Sequence, residues 1–211
     1  ETVQPGERLP AVVNASDDRT GVARVVAGGL PLVENASLWR GEAAAPLPIG
    51  DGTVEVVVVD AAGNRGRATA DVSVGARQTT RVSDSGVAAV DPPGDELGNV
   101  TLRLAPNASR ANGSALELTS GVTEGNPVGT AVPDEDVVYY VQFEFNVSRA
   151  EMANGSFDAA VRTSDLRNAS RLRETLTAWL FNETTDSWEN VTMTRVNGTD
   201  ERLVYRIDTP H

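Results

Sequence analysis

Apolar and polar residues alternate with a period of two along most of this chain, and the helical period is scarce. Residues 53–60 read TVEVVVVD, with Val54, Val56 and Val58 on one face. Residues 66–74 read GRATADVSV, with Ala68, Ala70, Val72 and Val74 on one face and Thr69, Asp71 and Ser73 on the other. The turn Asp60-Ala61-Ala62-Gly63-Asn64-Arg65-Gly66 between them predicts a hairpin. Further strands are expected at 21–27 and 30–38, so the first 75 residues suit a small β-sandwich without a helix. Residues 75–80 are poor in apolar side chains and read as a linker. Beyond them, strands are expected at 97–105, 136–148, 176–181, 188–196 and 202–208. Ser148-Arg149-Ala150-Glu151 has the spacing of a capping box, and with Gly155 as a stop it predicts one short helix. Proline and polar residues at 91–95 and 121–136 read as long loops. The expectation is an all-β chain of two tandem β-sandwich, immunoglobulin-like domains, 1–76 and 81–211, the second with a short helix.

Asparagine placement adds a cellular location. The triplet Asn-X-Ser/Thr, with X other than Pro, is the acceptor for N-glycosylation. It begins at Asn14, Asn35, Asn99, Asn107, Asn112, Asn146, Asn154, Asn168, Asn182, Asn190 and Asn197. These are eleven of thirteen asparagines, where 32 Ser and Thr among 211 residues would place about two by chance. Turn preference enriches Asn and Ser together but does not empty the other contexts of Asn. The chain is therefore expected to be extracellular, at a cell surface, and to carry covalent N-linked glycans. Strand register agrees: with Val100, Leu102 and Leu104 inward, Asn99 points outward, and the same holds for Asn146 beside Phe145 and Val147 and for Asn190 beside Val191 and Met193. Asn182 and Asn197 are expected in hairpin turns.

Composition adds salt. There is no Lys, and 18 Arg stand against 30 Asp and Glu for a net charge of −12. Carboxylates hold water and cations, and molar salt screens their repulsion over a few ångströms, so the surface suits brine. The same charge argues against nucleic acid as a partner. No apolar run approaches the 18 or so residues of a membrane span. The chain opens on Glu1, as a processed or excised piece of a longer protein would.

Candidate chemistry is sparse. With no Cys, and His211 as the one histidine, a Ser-His or Cys-His nucleophile and a zinc site lack their residues, and no enzyme activity is expected. Gly28-Gly29 and Gly63-Asn64-Arg65-Gly66 lack the Lys and helix of a phosphate loop. Trp39, Trp179 and Trp188 suit either a sugar-stacking platform or sandwich packing. Calcium is the one candidate cofactor, through the acidic loops at Asp17-Asp18, Asp91–Glu96 and Asp134-Glu135-Asp136, none of which has the pattern of a dedicated calcium loop. Asp17, Asp18 and Asp60 are the first residues to watch.

Two stretches carry a family likeness. Asp17-Asp18-Arg19-Thr20-Gly21-Val22, followed by Asp60-Ala61-Ala62-Gly63-Asn64, is similar to bacterial and archaeal immunoglobulin-like repeats, over residues 9–75. That resemblance implies a spacer or adhesive module. Residues 139–211 resemble the PGF-pre-PGF domain of anchored surface proteins of halophilic archaea. The matching features are FEFNVS at 143–148, the capped helix, Trp179-Leu180-Phe181, Asp186-Ser187-Trp188 and YRIDTPH at 205–211. This implies a protein tethered downstream and no chemistry of its own.

The combined expectation is a structural or adhesive surface protein of a halophilic archaeon: a surface-layer, filament or stalk component. A non-catalytic portion of a secreted enzyme or receptor, or a spike of a virus of such a host, is the alternative. Its partners would be other copies of itself or neighbouring surface proteins, with membrane contact only through a downstream anchor. Glycans exclude close contact, so the assembly surface should lie where sequons are missing. The longest gap runs from Asn35 to Asn99 and holds outward Val57 and Val59, which are either a subunit contact or buried within the module or against the second domain.

Overall fold

The computed structural model describes residues 3–93, 95–106, 108, 113–133, 137–166, 176–199 and 201–209. The described residues are strands and connections, with two three-residue 3-10 turns and no α-helix. The chain divides into two compact units, Glu1–Gly75 and Ala76–His211.

The first unit holds β1 (Arg8–Val13), β2 (Val22–Ala27), β3 (Leu30–Pro31), β4 (Val33–Asn35), β5 (Leu38–Ala44), β6 (Gly50–Asp60) and β7 (Arg65–Val74). All its ladders are antiparallel and form two sheets, β1-β5-β4 and β3-β2-β6-β7. Val25, Ala27 and Val54 from one sheet meet Trp39 and Ala43 from the other, with Leu32 between them. Val56 and Val58 join that core as the alternation requires. The expected hairpin is β6–β7, in unbroken register from Gly50 opposite Val74 to Val59 opposite Arg65. The stretch 30–38 is two short strands rather than one, because the chain crosses between sheets at Leu32.

The second unit begins with β8 (Ala76–Arg81) and continues with β9 (Val87–Val90), β10 (Leu97–Leu104), β11 (Ala115–Thr123) and β12 (Tyr140–Phe145). It closes with β13 (Met152–Arg162), β14 (Ala178–Asn182), β15 (Ser187–Val191), β16 (Met193–Gly198) and β17 (Arg202–Thr209). Its sheets are β16-β17-β13-β10-β9, β12-β11-β8 and the hairpin β14-β15. Leu97, Val100 and Leu118, with Phe143, Phe145 and Phe157, join the five-stranded sheet to the three-stranded one. Ala159, Val191 and Ile207, with Leu180, seat the β14–β15 hairpin on the same face further along.

Four expectations are corrected here. The stretch 75–80 is no linker: Ala76–Arg81 pairs with Ala115–Ser120 of β11, with Ala76 buried and Gln78 and Thr80 half-buried against exposed Arg77, Thr79 and Arg81. No short helix follows Ser148. The Ser148–Glu151 box does close, with Ser148 N–H and Oγ donating to Glu151 Oε2 at 3.2 and 2.9 Å and Glu151 N–H donating to Ser148 O at 3.0 Å. It caps a three-residue 3-10 turn, Arg149–Glu151, because Met152 onward is claimed by β10 and β17 on either side. The 121–136 loop starts later than expected, since β11 runs to Thr123. Likewise 188–196 is two strands: β15 pairs with β14 and β16 pairs with β17, the chain changing sheet at Thr192.

Candidate functional site

Eight of the eleven acceptor asparagines lie among the described residues; Asn107, Asn112 and Asn168 lie outside them. Asn14, Asn35, Asn99, Asn146, Asn154, Asn190 and Asn197 are exposed, and Asn182 is half-buried. Five of these exposures have a clear local cause. Asn14 follows β1 in a loop. Asn154 lies on β13 opposite Arg103, on the face turned away from the core. Asn197 lies opposite Val204 on β17. Asn146 ends the β12 alternation, and its Oδ1 accepts the Glu117 N–H at 2.8 Å. Asn99 occupies a β-bulge, where Asn99 and Val100 together oppose Phe157 between the pairs Gly98–Asp158 and Thr101–Ser156. Its φ of 42° is in the left-handed region that Asn tolerates best after glycine. Asn182 is the last residue of β14 and Asn197 the last but one of β16, rather than in the turns proper. Asn182 is engaged through both side-chain atoms: its Nδ2 donates to Glu189 Oε1 at 2.8 Å and its Oδ1 accepts the Thr184 N–H at 3.0 Å.

The two asparagines outside sequons are both tied into turns. Asn64 donates from its backbone N–H and from Nδ2 to the Asp60 carboxylate, both at 2.7 Å. Asn126 donates from Nδ2 to Thr130 O at 2.9 Å, and its Oδ1 accepts the N–H groups of Val128 and Gly129.

Three sequons converge on one polar groove of about 600 Å³ on the second unit. It is lined by Thr101, by Asn154 with Ser156, and by Asn190 with Thr192; Arg103 and Asp208 are the charged residues among its lining. Nothing in the alternation pattern foretold this grouping, because it depends on β10, β13 and β15 being brought together by long-range pairing.

The structure brings the two family-like motifs of the first unit together. Asp17 Oδ1 accepts the N–H groups of Thr20, Arg19 and Gly21 at 2.7, 2.8 and 3.2 Å. Thr20 Oγ1 then bridges to Asp60 Oδ2 at 3.1 Å. These bonds fix the carboxylates as anions. The Thr20 N–H, then the Arg19 N–H, holds Asp17 below the ordinary aspartate value of 3.8. The Asn64 side-chain amide does the same first for Asp60. Gly21 and Gly63 sit at φ of 75° and 90°, the conformations their turns need. As calcium candidates, Asp17 and Asp60 thus have much of their lone-pair capacity committed to N–H and O–H donors, and Asp18 is exposed beside them. Among the described residues no three carboxylate or His side chains converge as metal ligands. Asp134, Glu135 and Asp136 lie outside the described residues, as does His211.

Trp39 and Trp188 pack against other side chains. Trp39 is buried in the first core at 8 % exposure, so it forms no surface platform. Trp188 packs on Phe181 and Tyr140, with ring centres 5.1 and 6.0 Å away, and donates Nε1–H to Thr130 O at 2.8 Å. Trp179 is half-buried on β14. Val57 and Val59 are half-buried and stand outside the core cluster, on the outer face of β6. Their cross-strand neighbours are Val26 and Arg67, and Arg24 and Arg65. They are therefore not buried on both faces within the sandwich. Sequence reasoning missed two more exposed apolar residues, Val12 at 57 % and Val33 at 71 %, which flank Arg40 on the other sheet.

No family model, curated protein or solved structure matches this chain.

Proposed function

We propose that this chain is an N-glycosylated structural or adhesive protein of a cell surface: a surface-layer, filament or stalk component of a halophilic archaeon. The observation that carries the reading is the confinement of asparagine. Eleven of thirteen head a sequon, and the remaining two, Asn64 and Asn126, are each fastened into a turn by their own amides. Asparagine is thus used either as an acceptor or as a turn brace. Exposure of seven of the eight described acceptors supports attachment of sugar without loss of packing. A lysine-free surface with a net charge of −12 supports a working environment of molar salt.

The first unit is an immunoglobulin-like module in this reading. Its sheets β1-β5-β4 and β3-β2-β6-β7 follow the strand order B-E-D and C′-C-F-G of such sandwiches. The Asp17–Thr20–Asp60 clasp gives the two motifs of that resemblance a structural role. The second unit acts as a spacer ahead of a downstream membrane anchor. Its partners are copies of itself or neighbouring surface proteins.

Glycopeptide analysis of protein purified from its native cells tests the reading. Sugar mapped to several of the eleven sequons is the expected result. Sequon peptides that all carry bare asparagine overturn it. Asn182 should be less occupied than Asn154 on the open face of β13, because its amide nitrogen is already held by Glu189.

A further inference from the structure

We propose that Asn197, wherever it carries no sugar, converts itself to aspartate and isoaspartate through a cyclic imide formed with the Gly198 nitrogen. The inference goes beyond the glycoprotein reading, because it concerns the chemistry of the bare acceptor.

Imide formation needs an asparagine side chain and the next backbone nitrogen close together, with nothing in the way. Glycine, without a side chain, leaves that nitrogen most open. Three asparagines precede a glycine: Asn112, Asn154 and Asn197. Asn112 lies outside the described residues, and the other two differ sharply. At Asn197 the Gly198 N–H donates to Asn197 Oδ1 at 2.8 Å. A carbonyl bond is about 1.2 Å long, so this nitrogen stands no more than about 4 Å from Cγ. Rotation about χ2, which is broad for asparagine, turns the carbonyl face toward the nitrogen without moving Cβ. Both residues are exposed, so water reaches them. β16 is an edge of its sheet, and its register with β17 is interrupted between Arg195 and Asn197, so the backbone there has room to move. At Asn154 the same dipeptide is clamped. Gly155 pairs with Leu102 on β10 and with Thr209 on β17. Closing a ring on the Gly155 nitrogen would pull that peptide out of two ladders at once.

The reaction needs water as its one co-reactant. The Gly198 N–H gives its proton to water or hydroxide, and the nitrogen attacks Asn197 Cγ. The new N–Cγ bond forms, the Cγ–Nδ2 bond breaks, and Nδ2 leaves as ammonia after taking a proton back from water. The ring then holds Gly198 N with Asn197 C, Cα, Cβ and Cγ. Water opens it at either carbonyl. Attack at Cγ leaves aspartate in an ordinary chain, and attack at the backbone carbon leaves isoaspartate, whose main chain is one atom longer. Either product deletes the sequon. Isoaspartate also lengthens β16 where Asn197 faces Val204 and Gly198 faces the fully buried Leu203. Sugar on Nδ2 opposes the reaction, because the leaving group becomes a bulky glycosylamine. At this site a glycan therefore preserves the residue that carries it.

The test uses the full chain made without sugar, folded in molar salt and incubated in mildly alkaline buffer. Peptide mass analysis follows residues 154 and 197 with time and separates aspartate from isoaspartate. The same chain in denaturant is the reference, since glycine follows both asparagines. Asn197 should convert in the folded chain within about threefold of its unfolded rate, while Asn154 should slow at least about tenfold, because misplacing reacting atoms by about an ångström costs up to a hundredfold. Isoaspartate at 197 marks the imide route, as direct hydrolysis of the side-chain amide yields aspartate alone. Asn197 slowed by folding as strongly as Asn154, or converted with no isoaspartate, overturns the inference. Sugar mapped to Asn197 in native cells, together with a bare folded chain that keeps its Asn197, refutes this inference alone. Conversion in the bare chain, with every sequon peptide from native cells free of sugar, refutes the glycoprotein reading alone.

Discussion

The turn between β4 and β5 holds a residue the backbone does not want. Asn35 pairs with Leu38, leaving Ala36 and Ser37 as a two-residue hairpin loop. Their φ angles are 50° and 67°, so both sit in the left-handed region that a type I′ turn demands and that Asn-Gly fills best. A residue with a Cβ costs about 1–2 kcal/mol there. Glycine at 37 removes that cost but loses about 0.5–1 kcal/mol more chain entropy on folding, a net gain near 0.5–1 kcal/mol. Asparagine at 36, better tolerated than alanine in this region, adds roughly 0.5 kcal/mol. Adjacent positions couple, so about 1 kcal/mol is the working figure for Ala36→Asn/Ser37→Gly. For a unit of this size that raises the unfolding midpoint by about 4–8 °C. The assay is thermal unfolding of unglycosylated protein in molar salt, followed by circular dichroism. Residue 37 should rank Gly above Ser above Thr, since a β-branched side chain is the worst fit to positive φ. Asn35→Gln, which removes the acceptor but leaves the turn, should change nothing. A midpoint for Ser37→Gly equal to or below the parent's refutes the reasoning. Ser37→Gly would also delete the hydroxyl of Asn35-Ala36-Ser37, so the parent keeps a strained serine where only the sequon requires one.

Three further outcomes follow from the same geometry. Thirty acids against eighteen arginines should loosen the fold as salt falls from molar to about 0.1 M, where screening reaches only about 10 Å; circular dichroism unchanged over that range would count against a salt-adapted surface. Asp17 and Asp60 have lowered values in the fold, so the stability they give is present above the unfolded value and is lost as pH falls through the folded one; acid loosening should set in below pH ~4, and Asp60→Asn should weaken that acid dependence in a pH titration of the unfolding midpoint. Val57→Thr/Val59→Thr, on the outer face of β6, should cost less than about 1 kcal/mol, while Val54→Thr in the core should cost about 1–3 kcal/mol; equal losses in denaturant unfolding would show that the outer face is also covered.

What was legible in the sequence was local. The β6–β7 hairpin and the inward faces of β10, β12 and β17 follow from period-two alternation, and the turn at Gly63 from glycine's freedom at positive φ. What was not legible depends on neighbours distant in the chain. β11 reads ALELTSGVT, and Thr119, Ser120 and Thr123 look like loop residues until β8 and β12 close on either side and bury them. β13 begins MANGSF, where Asn154 and Gly155 read as a helix stop, yet its place between β10 and β17 makes it a central strand. Gly155 earns that place sterically: a Cβ there would lie 2.9 Å from Thr209 Oγ1. Ala76–Arg81 failed as a strand signal because one of its faces is Ala, Gln and Thr, and the burial comes from β11 rather than from apolar content. The acceptors were individually visible, but their gathering around the groove at Thr101 was a property of sheet order alone.

In a glycosylated assembly sugar and contact compete for the same surface, and β13 and β7 meet that competition differently because of their strand positions. A glycan needs an outward side chain with open solvent beyond it, which a strand inside a wide sheet supplies on its polar face. Asn154, on the central strand β13, meets that condition, with Asn197 on β16 turned to the same side. β13 has both backbone edges already paired, so sugar above it costs no pairing surface. An edge strand is different. Its unpaired backbone lies in the plane of the sheet, and a glycan on it would stand across the approach of any second strand. β7, the long unblunted edge of the first unit, has no asparagine at all from Arg65 to Val74. β16, an edge of the five-stranded sheet, carries Asn197 next to its turn, and its register is broken between Arg195 and Asn197. A bulged edge with an acceptor and a regular edge without one are opposite solutions to the exposure of backbone. The first interrupts the ladder of an edge, and the second keeps a regular one along Arg65–Asp71 with no acceptor on it.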